Sequence, residues 1–170
     1  MSMPPGLRKL VLIVHLIASV GWVGAVVAYL ALGVSAVNSR DARTVQAAWI
    51  AMELTGWFVI VPLALAALLT GIVMSLGTPW GLFRHYWVVI TLVLTIFATV
   101  VLLLHMPSVS YLADMVREEG STNARGHGGD LFHAGVGLLV LLVVTVLNVY
   151  KPRGMTPYGW RKQRRERKQN

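Results

Sequence analysis

The chain has 170 residues, a formal charge of +8 and no cysteine; 56% of it is hydrophobic and only 13% is charged. That balance excludes a soluble domain of ordinary make-up. The lack of cysteine excludes disulfides, thiolate metal sites and c-type haem attachment.

The first predicted element is an apolar run over residues 10–38, within a thirty-residue stretch from Leu10 to Ser39 that carries no formal charge. A helix crossing the ~30 Å hydrocarbon core needs about 20 mostly apolar residues. The run exceeds a signal-peptide core and lacks a small-residue cleavage site after a short apolar region, so it reads as a retained span. The short polar link NSRDART makes the next run, residues 46–76, its antiparallel neighbour. Pro62 near the middle of that run removes one backbone hydrogen bond and predicts a kink. Leu76-Gly77-Thr78-Pro79 is a turn signal.

A third span is predicted over residues 84–106, ending at Pro107. Beyond it, SVSYLADMVREE has apolar residues at helical spacing and reads as an extension of that span or a short interfacial helix. GSTNARGHGGD, residues 120–130, has the glycine-rich composition of a mobile loop. A fourth span covers residues 131–150. The fold class is therefore all-α, an antiparallel four-helix transmembrane bundle. Residues 1–150 form one membrane domain and 151–170 a basic tail.

Four spans place both termini on one side. Eleven of the fifteen Lys and Arg lie there, eight of them after Tyr150, and the opposite side carries Arg40, Arg43, Arg117 and Arg125. The positive-inside rule makes the terminal side cytoplasmic, N-in and C-in. The tail RKQRRERKQN reads as a juxtamembrane segment that attracts anionic lipid rather than nucleic acid. Small residues at 18, 21, 24, 25 and 28 and at 134, 135 and 137 are expected where helices touch. Trp80 and Tyr150, near span ends, fit an aromatic belt.

Polar side chains at membrane depth need a reason. His15 lies about two turns inside the terminal side, and His85 opens the third span there. His105, His133 and Glu53 lie toward the far side. From His85 to His105 is ~30 Å of helix, so those two cannot share a site. The expected groups are His15 with His85, and Glu53 with His105 and His133, with His127 and Asp130 available from the loop. Imidazole is a ready ligand of haem iron, copper or zinc. A histidine pair near each face is the layout of a two-haem b-type cytochrome. Interfacial or hydrogen-bonding roles are the alternative for each histidine. For Glu53 the alternative is an ion pair with Arg43 or a loop arginine.

His15 followed by GWVGA, Pro62 in the second span, TPWG before the third and His85 at its head are a pattern that resembles a broad group of small membrane proteins. The group includes the copper-resistance D-type membrane domain and the HemJ-type protoporphyrinogen oxidases. The stretch ELTGWFVIVPLALAALLTGIVMSLGTPWGLFRHYW looks closest to an uncharacterised bacterial family of predicted integral membrane proteins within it. In the HemJ-type enzymes the first-span histidine is associated with haem b, and His15 matches it. His85 matches the histidine that begins their third span, while Trp87 stands where those enzymes carry lysine. The resemblance implies haem b binding at His15 and a bacterial cytoplasmic-membrane location. By analogy with the D-type domain, it implies copper ligands at Glu53, His105 and His133.

The leading expectation is thus a haem b-binding membrane redox or electron-transfer protein using His15, His85, His105 and His133. A second is a copper, zinc or proton transporter centred on Glu53, His105 and His133. A third is a non-catalytic subunit of a larger membrane complex. The partners implied are the bilayer, anionic lipid at the tail, and a second copy or another membrane protein.

Overall fold

Two prolines start the first helix. Pro4 is extended and Pro5 occupies the first helical turn, where its missing N–H costs nothing. The computed structural model describes residues 3–78, 81–118 and 129–169, without the side chains of 129, 130, 166 and 169. Trp80, Arg125 and His127 lie outside the described residues, as does the side chain of Asp130.

Helix α1 (Pro5–Asn38) buries Ala18, Trp22, Val26, Tyr29, Gly33 and Ala36, one stripe at three- and four-residue spacing. It stops where Ser39 turns extended. Asp41 caps the next helix by accepting hydrogen bonds from the backbone N–H groups of Arg43 and Thr44. The Thr44 hydroxyl, with those two N–H groups, holds the exposed Asp41 carboxyl below its ordinary pKa.

The second span is α2 (Ala42–Thr55), a π-helical turn at Gly56–Ile60, and α3 (Val61–Leu76). The distortion expected at Pro62 takes this form. Proline has no N–H to offer the carbonyl four residues back, and the Val61 N–H bonds instead to the Gly56 carbonyl, five back. The third span is α4 (Tyr86–Glu118) and the fourth α5 (Gly129–Tyr150). A sixth helix, α6 (Pro157–Gln169), occupies the tail.

Among the described residues, four helical stretches are long and apolar enough to cross a membrane: Pro5–Asn38, Ala42–Leu76, Tyr86–Glu118 and Leu131–Tyr150. The protein is a multi-pass membrane protein with an all-α four-helix bundle. α1 and α4 each pack on the second span and on α5, so α1 and α4 are diagonal to one another.

The third span does not end at Pro107. α4 runs through it for 33 residues. Beyond the proline, Val109, Leu112, Ala113 and Val116 are buried with Ala36, Val45, Trp49 and Met52. Each large aliphatic side chain removed from water contributes about 1.5–3 kcal/mol. Several such burials outweigh the ~3 kcal/mol cost of one interior proline. The separate interfacial helix considered for this segment is therefore the end of α4.

This extension changes the shape of the molecule. Helices of 33 to 35 residues are about 50 Å long, some 20 Å more than the hydrocarbon core. The most deeply buried large side chains, Val45, Trp49, Met52, Met106, Val109 and Val116, all lie toward the far side. Nearer the termini the same helices expose Leu10, Ile13, Ile17, Leu69, Val93 and Phe97, as lipid-facing helices do. Ser108, Asp114, Arg117 and Glu118 are exposed on the last turns of α4. The ends of α1 and α4 and the start of α2 thus form a tightly packed far-side head.

Only some of the small residues mark helix contacts. A Cβ on Gly21 would meet Leu63, one on Gly33 would meet Leu131 and one on Gly56 would meet Met106. At Gly24, Gly135 and Gly137 a Cβ would meet no atom of the described residues within 4 Å, so at these three, which composition alone grouped with the others, close approach does not require a glycine.

Candidate functional site

His15 sits one helical step before Ala18 on the buried stripe of α1, half-buried, facing α3. Its Nδ1 lies 3.1 Å from the Ala67 carbonyl oxygen and 3.0 Å from the Thr70 hydroxyl. The carbonyl can only accept, and the Thr70 hydroxyl donates its proton to the Ala66 carbonyl at 2.6 Å. Nδ1 must therefore carry the imidazole proton, and Nε2 keeps its lone pair. Gly71, one turn after Ala67, makes room for the ring: a Cβ there would come within 3.2 Å of His15 Cε1. Sequence reasoning singled out His15 but missed its seat. Ala67, Thr70 and Gly71 lie on one face of α3, and a mid-span threonine beside a glycine was the available signal.

His85 has a different setting. It forms an isolated antiparallel bridge with Met155, flanked by hydrogen bonds from Tyr86 N–H to the Gly154 carbonyl and from Thr156 N–H to the Arg84 carbonyl. It belongs to the rim where the C-terminal segment meets the start of α4. His15 is anchored on α3, the neighbour of α1. The two histidines of the expected His15–His85 pair are thus held by different local contacts.

On the far side, His105 of α4 and His133 of α5 do come together. Their rings stack with centroids 4.8 Å apart and planes 20° from parallel, and Phe132 meets His133 edge-on at 6.1 Å. Nε2 of His105 is buried. Two axial ligands of one iron point their nitrogens edge-on at the metal between them. Rings stacked face to face do not, so this arrangement does not fit a haem held between His105 and His133.

Glu53 joins neither histidine through its ion pair. Its Oε2 accepts from Arg117 at 2.6 Å, with the glutamate side chain 16% exposed and the arginine 40%. Arg117 also binds Asp114 one turn earlier. Glu53 is a paired carboxylate in the head, tying α2 to α4. Beside it, Gln46 donates to the Val116 carbonyl and the Trp57 indole donates to Ser110. Among the described residues no three of His, Asp or Glu stand close enough to hold one metal ion. The expected Glu53–His105–His133 cluster separates into an ion pair and a stacked imidazole pair.

No family model matches the chain, and no curated protein or solved structure is similar to it at a significant level.

Proposed function

We propose that the protein binds haem b in the bacterial cytoplasmic membrane through His15 and serves in electron transfer. The observation that carries this reading is the seat of His15, whose Nδ1 lies 3.1 Å from the Ala67 carbonyl oxygen. Iron-ligating histidines donate the N–H of their other ring nitrogen to a carbonyl, carboxylate or water, which orients the ring and raises its basicity. His15 makes that bond to Ala67 and keeps Nε2 as the donor atom. A haem would supply one-electron redox chemistry, and His15 would hold it through Nε2. The match of His15 and GWVGA to the HemJ-type pattern supports the same assignment.

The test is an absorption spectrum of detergent-purified protein expressed with adequate haem supply. The wild type should show a Soret band that shifts and sharpens with dithionite. His15→Ala should lose nearly all of it while eluting as the same folded species, because packing cannot replace an axial bond. A colourless wild type with stoichiometric copper or zinc would favour transport or metal binding instead. A colourless, metal-free protein would favour a subunit role.

The same reading requires both termini in the cytoplasm, since eleven of fifteen Lys and Arg lie on that side. Reporter fusions at Asn170 and within residues 120–128 should report cytoplasmic and extracytoplasmic positions respectively. An extracytoplasmic signal at Asn170 would reverse the topology.

A further inference from the structure

The tail is a docked helix, and the way it docks bears on what it binds. Thr156 caps α6: its Oγ1 donates to the Phe83 carbonyl and accepts from the Gly159 N–H. Gly159 lies directly on the Arg84 backbone, where a Cβ would fall 2.4 Å from the Arg84 carbonyl oxygen. Only glycine permits this approach. The first turn of α6 is thereby clamped to residues 83–86, the point at which α4 enters the bundle.

Thr156, Gly159 and Gln163 occupy the inner side of the helix, as their burial shows. Arg161, Lys162, Arg164, Arg165, Arg167 and Lys168 follow the clamp, and all six are exposed. The sequence of α6 contains one acid, Glu166. Tyr158 and Trp160 project from the first turn 57% and 55% exposed, and Phe83 and Tyr86 are exposed at the same end of the bundle. Aromatic side chains of this kind settle at headgroup depth, and clustered cations attract anionic lipid.

We propose that α6 is a fixed plate that binds the anionic phospholipid headgroups of the adjacent leaflet. Charge complementarity names the partner. The Thr156–Gly159 clamp distinguishes the plate from a loose polybasic tail, because it holds the cations at the boundary where the span begins. The inference is independent of haem binding.

The chain lacks cysteine, so Lys168→Cys carries a single nitroxide label. The labelled protein is placed in nanodiscs of phosphatidylcholine alone or with phosphatidylglycerol, and label accessibility to a water-soluble nickel reagent is measured. Phosphatidylglycerol should lower accessibility about threefold, and molar salt should abolish the difference. Arg164→Gln with Arg165→Gln should weaken the protection. Gly159→Ala should weaken it with every cation retained. Equal accessibility in both lipids would overturn the proposal. Full protection in Gly159→Ala would reduce the plate to a flexible tail and overturn it too. Protection by a short RNA in phosphatidylcholine discs, exceeding that by phosphatidylglycerol, would mark a nucleic-acid surface instead.

Discussion

Trp49→Ala should collapse the packed far-side head. Trp49 is 1% exposed, in one cluster with Val45, Met52, Val109 and Val116. Removing an indole from such a site costs about 3–5 kcal/mol, the lost transfer energy plus the cavity left behind. The loss should appear as a markedly lower thermal midpoint in detergent and as new tryptic cleavage at Arg43 and Arg117. Phe58→Ala, at a side chain 75% exposed, should leave both unchanged. Trp49→Phe should be much milder than alanine. The Trp49 indole N–H is buried without a hydrogen-bond partner among the described residues, so losing it removes no bond. If Trp49→Ala left the midpoint and cleavage pattern unaltered, the head would not be a cooperative packed unit.

Arg117→Met should modestly destabilise the α2–α4 contact, and adding Glu53→Gln should recover most of that loss. The expectation lies between the small worth of a surface ion pair and the several kcal/mol of a buried one. Arg117 is 40% exposed and screened by solvent, while Glu53 is only 16% exposed and would be left as a carboxylate with no cation at 2.6 Å. Much of the loss in the single variant is thus the penalty on Glu53, and neutralising Glu53 relieves it. Thermal midpoints of the wild type, both single variants and the double variant close the cycle. Additive losses would show that the two side chains act independently. A role for Glu53 as a metal ligand predicts instead that Glu53→Gln alone lowers bound copper or zinc.

The four spans and the bundle class were legible in the chain because hydropathy and helical length are local properties. About 20 apolar residues satisfy the bilayer wherever their neighbours lie. A backbone distortion ahead of Pro62 was legible for the same reason, since a missing N–H acts within one turn. His15 stood out by its depth alone. Its partners did not, because Ala67, Thr70 and Gly71 lie more than fifty residues away and meet it only through the register of α1 on α3.

The same limit explains the other differences. Pro107 is a stop signal read locally, but α4 continues because Val109, Leu112 and Val116 find Val45, Trp49 and Met52 across the helix pair. Glu53 was placed by depth beside His105 and His133, yet Arg117 reaches it once α4 is long enough to carry a cation there. Composition grouped eight small residues as contacts, and only the packed helices separate Gly21, where a Cβ would press on Leu63, from Gly24, where a Cβ would find room among the described residues. Composition and periodicity determined how many helices cross the membrane. Which side chains meet was decided by rotation and offset between helices, quantities that arise only when the helices pack.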